Sequence, residues 1–250
     1  RKGRAGRTQE GTCYRLYPRK DYETRQMYTL EEIFRTDLSE VVLRMSELGI
    51  TEFEQFDFIS PPGKEGIISA IETLNLLKAL EKDNTLSEIG KLMVKFPLMP
   101  RLSRIIVEAI LHYPQVLEET IIASAFLSAQ SPFILPPGEE MEARIAHHAF
   151  RDVQGDFLTY VKLFKKFINQ EKPEEFCEKN FLDYRVLSEI KNIKEQLELI
   201  VSDMGIPILN GGKNDDYLTC IASLMIQFIA VREGKENYKT LTADNIQILP

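Results

Sequence analysis

The sequence contains no tryptophan, and only three cysteines and three histidines in 250 residues. Cys13, Cys177 and Cys220 lie far apart, so no pair has metal-ligand spacing, and their odd number excludes a fully paired disulfide framework. This usage predicts a reducing, cytoplasmic setting. His147 and His148 are adjacent, but no cysteine or third histidine lies near enough in sequence to complete a metal site, so they read as a polar helix face. No apolar run approaches the roughly 18–20 residues that a membrane-spanning helix needs. A phosphate-gripping loop is also missing. PPGKEG (61–66) and NGGKND (210–215) contain Gly-Lys, but neither has the earlier glycine at the required spacing or a Ser/Thr after the lysine.

The residues that are present are ordinary for a protein with real cores: 44% hydrophobic and 28% charged, enough for one large domain or two to three small ones. The net charge of −7 argues against a surface coated in basic residues, but it hides an asymmetry. Residues 1–25 hold eight basic residues against three acidic ones, so the first tenth of the chain is +5 and the rest is −12. An anion near the N-terminus is therefore plausible. Arg1 stands where an initiating methionine is expected, which predicts a piece cut from a longer protein.

The pattern along the chain is mostly helical. GTCYRLYP reads as a short strand over 12–17, with an irregular polar stretch after it. Asp37 with Glu40 three residues on has the capping-box arrangement, and Val41, Val42, Met45 and Leu48 continue at helical spacing before Gly49. FDFISPPG (56–63) is an extended connector. Ile67, Ile71, Leu74, Leu77 and Leu80 mark a second helix, and a third covers about 87–95, a compact unit of the winged-helix type. Beyond FPLMP (96–100), helices are predicted over about 101–110, 115–129, 139–150, 156–168, 183–204 and 216–231. NYKTLTADNIQILP (237–250) returns to alternation and reads as strand.

RKGRAGRT (1–8) admits three readings. It can be a solvated basic tail, a Gly-Arg segment that binds RNA without folding, or an arginine-finger loop. In the last, glycines permit a tight backbone and the guanidiniums of Arg4 and Arg7 meet phosphate oxygens in a planar fork. The rest of the chain bears on the choice. RKGRAGRT resembles the last conserved motif of the DEAH-box RNA helicases, and GTCYRLY the strand after it. RTDLSEVVLRMSELGI (35–50), FDFISPP and LSEIGKLMVKFPLMPRLSRIIV (86–107) resemble that family's winged-helix opening, its connector and its junction into a helical ratchet domain. FLSAQSPFILP (126–136), GDFLTYVKLF (155–164) and FCEKNFLDYRVLSEIKNIKEQL (176–197) resemble ratchet segments, and NYKTLTADNIQILP the first strands of an oligonucleotide-binding (OB) fold. The order is collinear throughout, and the spacing is most similar to bacterial members.

The resemblance implies a mainly α fold: the end of the second RecA-like lobe (1–34), a winged helix (35–95), a ratchet domain (96–210), and a connecting helix with the start of an OB-like β domain (211–250). It places Arg4 and Arg7 on the two arginines that reach the ATP γ-phosphate, Gly3 and Gly6 on the glycines that shape their loop, and Arg1 on a neighbouring nucleotide-binding arginine. It implies an ATP-dependent 3′→5′ RNA helicase as the parent, using ATP and Mg²⁺ and moving on single-stranded RNA or DNA. The fragment is expected to bind no cofactor by itself, to hydrolyse nothing alone, to contact no membrane and to be monomeric. The competing expectation is a non-enzymatic helical scaffold that docks RNA or protein without any link to ATP.

Overall fold

Asp37 begins the helical part of the chain by accepting the Ser39 N–H on its Oδ1 at 2.9 Å. Helix α2 (Ser39–Glu47) starts there, burying Val42, Leu43 and Met45. It is preceded by a short helix, α1 (Arg19–Thr24), that buries nothing. The computed structural model describes residues 6, 8–25, 37–225, 228–234, 237–240 and 246. The stretch expected as a strand over 12–17 carries no regular secondary structure. A strand requires a neighbour to take up its N–H and C=O groups, and no described segment pairs with it. Most of the expected strand region 237–250 lies outside the described residues.

Helix α3 (Lys64–Leu76) starts after the Pro-Pro-Gly connector. Its apolar spacing continues to Leu80, yet the helix stops at Leu76. Lys78 takes φ +56°, and the Ala79 N–H turns back to the Leu74 carbonyl at 2.8 Å. Leu77 and Leu80 reach the core from this turn instead of from a further helical turn. A narrow wing closes by pairing Leu80 with Leu86. Ser87 then caps α4 (Glu88–Met93), accepting the Gly90 N–H on Oγ at 3.0 Å. These helices and the wing form the winged-helix unit.

Helices α5 (Pro100–His112) and α6 (Leu117–Ser128) form the centre of a helical bundle. Pro100 occupies the first turn of α5, where its missing N–H costs nothing. Helix α6 has no solvent-facing side, and its residues 119–126 are all buried, Glu119, Thr120 and Ser124 included. Such a helix has to be surrounded, and it is: α5, α8 (Asp156–Ile168), α10 (Tyr184–Asp203) and α11 (Asn214–Leu224) all pack against it. Helix α7 (Glu140–His148) and the short α9 (Pro173–Lys179), which periodicity did not mark, complete the bundle. Asp183 caps α10 with its carboxylate on the Arg185 and Val186 N–H groups. Helix α11 ends at Leu224, short of the expected 231. Val231–Arg232 (β1) instead pairs antiparallel with Tyr238–Lys239 (β2).

One apolar core runs from Leu38 through Ile221, continuous across the winged helix and the bundle. Leu74, Met93, Ile105, Ile106, Leu117, Ile121 and Ile122 are fully buried in it. Each such side chain contributes about 1.5–3 kcal/mol, so the two units share their stability. Two arginines close helix ends at the join. Arg44 donates to the Val94 carbonyl at 2.6 Å, and buried Arg104 donates to the Leu77 carbonyl at 3.1 Å while pairing with Glu108 at 2.7 Å. Helix α6 is tied outward as well. Glu118 binds Lys194 of α10 at 3.1 Å, and Glu119 binds both Lys165 of α8 and the Gly211 N–H. Among the described residues, no helix is long and apolar enough to cross a membrane.

Candidate nucleic-acid interface

Arg144, His148 and Arg151 gather where α7, the turn after it and the start of α8 meet. Ala143 is fully buried and fixes one face of α7, which leaves Arg144 and His148 one turn apart on an outer face. His147 is half-buried and has a structural task. Its Nε2 lies 3.0 Å from the Phe181 carbonyl, and its ring meets the Phe133 ring edge-on at 4.9 Å. A carbonyl only accepts, so Nε2 carries the proton. The same Phe181 carbonyl takes the Ile134 N–H, and Phe133 pairs with Leu182. The loop before α7 and the loop before α10 therefore lock together and set the height of the Phe133 ring.

Phe150 is buried just beyond α7, and Arg151 comes next, turned into solvent. The chain then reverses in a turn held by Asp152, Gly155 and Thr159. Asp152 accepts the Gln154 N–H at 2.9 Å, and the buried Thr159 hydroxyl accepts the Asp152 N–H and donates to the Gly155 carbonyl. Gly155 takes φ +116°, a conformation that side chains resist, so the turn depends on glycine. Asp156 starts α8. Tyr160, one turn on, is stacked on Phe126 with ring centroids 4.7 Å apart and planes 10° apart.

The result is a groove lined by Phe133, Arg144, His148, Arg151, Asp156 and Tyr160. Among the described residues, neither Arg144 nor Arg151 has a carboxylate within ion-pair distance. The Glu140 carboxylate, one turn before Arg144, is held by backbone N–H groups that include Gly138 at 3.0 Å; these, with the Arg144 charge, keep it below the ordinary carboxylate range. Burial, then the Asp156 charge, raises Tyr160 above the ordinary phenol value, so its hydroxyl keeps its proton at neutral pH. Two unpaired guanidiniums beside two fixed aromatic rings are the elements from which single-strand sites are built: cations for phosphates, ring faces for bases. No group of His, Cys, Asp and Glu able to hold a metal occurs among the described residues.

Of the residues predicted from sequence as a nucleotide site, Arg1, Gly3, Arg4 and Arg7 lie outside the described residues. Gly6 is described. It sits exposed in a turn at φ +94°, and a Cβ there would meet only ordinary contacts, the nearest at 3.7 Å from the Gln9 carbonyl. Glycine is required there by the backbone conformation, not by crowding. The sequence alone did not reveal the groove. Its signal was the spacing of Arg144, His148 and Arg151 leading into a Gly-Asp turn.

Two descriptions of protein families cover this region. Residues 70–98 match the winged-helix part of the helicase-associated domain (HA2), and residues 99–160 match its ratchet-like part. The chain is also 47% identical over 252 residues to the ATP-dependent RNA helicase HrpA of Borreliella burgdorferi. The chain carries the winged-helix and ratchet-like parts of the helicase-associated domain, and the whole of it is similar to part of an RNA helicase. The Borreliella alignment takes in 100% of this chain and 31% of the relative. The HrpA homolog of Haemophilus influenzae is 33% identical, over 100% of this chain and 20% of its own length. Human probable ATP-dependent RNA helicase DHX35 is 30% identical, over 98% of this chain and 35% of its own length. The chain thus spans between a fifth and about a third of the length of these relatives. The groove is built largely from the ratchet-like residues of the family domain.

Proposed function

We propose that this chain is the accessory part of a motor that hydrolyses ATP while moving 3′→5′ on single-stranded RNA, and that the groove between α7 and α8 is one wall of the RNA path. The observation that carries this reading is the alignment of the whole of this chain with 31% of a protein named as an ATP-dependent RNA helicase. The groove supplies the chemistry: Arg144 and Arg151 neutralise backbone phosphates, while Phe133 and Tyr160 offer apolar faces without reading sequence. A motor that must pass any sequence needs contacts of this kind. The domains are assigned as the end of a RecA-like lobe (1–34), winged helix (35–95), ratchet (96–210), and connecting helix with the start of an OB-like fold (211–250). A cytoplasmic setting fits the dispersed cysteines, which form no disulfide among the described residues.

ATP with Mg²⁺, when bound, supplies the driving reaction, and Arg4 and Arg7 are the residues of this chain assigned to its γ-phosphate. The glycine-dependent turn at Gly6 fits a loop that must bend sharply between those arginines. Guanidiniums stay charged and oppose the charge that builds on the transferring phosphoryl group, an effect of about 10³–10⁵ in rate. Arg1 and Gly3 are assigned to the same nucleotide site. The chain has no phosphate loop of its own, so these residues complete a site whose remainder lies elsewhere. The test is Arg4→Ala in the full-length protein. Nucleotide binding is expected to persist while turnover falls by at least a thousandfold; normal hydrolysis would sink the finger assignment.

A further inference from the structure

One lining residue does not fit a groove that only grips phosphates. Asp156 places a carboxylate beside Arg144 and Arg151, where it repels a nucleic-acid backbone. No ion pair or hydrogen bond engages its side chain among the described residues. The backbone that carries it is held nonetheless. Gly155 sets the backbone just before it, and the Thr159 hydroxyl ties that turn to the first turn of α8. A neutral-pH carboxylate only accepts hydrogen bonds. Phosphate oxygens also only accept, and a DNA backbone carries no donor at all. The single donor on a nucleic-acid backbone is the ribose 2′-hydroxyl.

We propose that the Asp156 carboxylate binds the 2′-hydroxyl of a ribose in this groove and thereby makes the groove prefer RNA to DNA. Asp156 is then a specificity residue. Against DNA its charge is a pure penalty, whereas against RNA the penalty is offset by a charge-assisted hydrogen bond. The fixed ring of Tyr160 one turn away, with its hydroxyl protonated, can donate to the phosphate next to that ribose. This inference rests on the reading of the groove as part of an RNA path, and its test separates the two.

The full-length protein is titrated with oligomers of uridine, deoxyuridine and 2′-O-methyluridine of equal length, so that only the sugar differs. The wild-type protein is expected to bind uridine more tightly than either other oligomer. The 2′-O-methyl sugar keeps an oxygen but has lost the donor. Asp156→Ala is expected to lower the uridine-to-deoxyuridine affinity ratio about tenfold, the low end for a hydrogen bond to a charged group. Asp156→Asn, which keeps an acceptor oxygen, is expected to fall between. A purely structural role at the start of α8 would weaken all three oligomers alike and leave the ratio unchanged, which would overturn the proposal. Arg144→Ala reports on the groove itself: it must weaken all three oligomers. If it weakens none, the groove is not a nucleic-acid site and the parent reading fails with it.

Discussion

Replacing Gly90 by alanine adds one methyl group to α4, and propensity alone says that this stabilises a helix by about 1 kcal/mol. The structure reverses the sign. The new Cβ would overlap the Ala79 carbonyl oxygen and lie 3.1 Å from its carbon, and neither atom belongs to a side chain that can swing aside. The start of α4 must therefore move off the 78–79 turn. That turn is joined to the α4 cap by two hydrogen bonds, the Ser87 N–H to the Ala79 carbonyl at 3.0 Å and the Ser87 hydroxyl to the Lys78 carbonyl at 2.6 Å, while Ser87 Oγ accepts the Gly90 N–H at 3.0 Å within α4 itself. At about 1 kcal/mol each, loss of the two bonds to the turn outweighs the propensity gain by about 1 kcal/mol. For a chain of this size that corresponds to a fall in Tm of roughly 2–4 °C. Calorimetric melting of Gly90→Ala beside the parent measures it. An unchanged or raised Tm would refute the claim that the winged helix is held by this close approach.

Buried groups lead to two further outcomes. Burial pushes the Cys177 thiol up to about 11 and the Cys220 thiol to about 12, while Cys13 is exposed. A disulfide reagent at pH 8 should therefore titrate one thiol in the native chain and all three in denaturant; fast reaction of three in the native state would contradict the packing. Burial works against the charged form of Lys194, but hydrogen bonds and charge from Glu198 and Glu118 outweigh it and leave the ammonium above its ordinary value. Tyr217 is raised by burial too. In every one of these groups the folded chain holds a proton that the unfolded chain releases first. The contribution of these groups to stability should therefore be level up to about pH 8.5 and fall as pH rises beyond it. A urea midpoint that holds constant or climbs between about pH 8.5 and 10.5 would contradict this.

Periodicity was a good guide wherever one face of a helix met the core. Asp156–Ile168 and the cap–helix–cap run Asp183–Met204 were legible to within a residue, because an apolar stripe that starts at a glycine turn in the first and at a capping aspartate in the second leaves little freedom. It misled where tertiary contacts set the ending. The stripe through Leu77 and Leu80 continued past the true end of α3 because a core can draw its leucines from a turn as readily as from a helix. The strand expected at 12–17 had the right residues but no partner among the described ones, and composition cannot show a missing partner. Family resemblance, not periodicity, pointed to the arginine loop. The groove was invisible to both, since Phe133, Arg144 and Asp156 come together only through the locked loops at Phe181 and the turn at Gly155.

The groove's claim on RNA can be read from salt. Each phosphate contact made by a cation to a single strand contributes about 0.7 to the slope of log affinity against log salt concentration. Single-stranded RNA binding by the full-length protein is measured from low to physiological salt, for the parent and for Arg144→Ala combined with Arg151→Ala. The account predicts a slope shallower by about 1.4 in the double variant, with weaker binding at every salt concentration. A slope and affinity equal to those of the parent would contradict it.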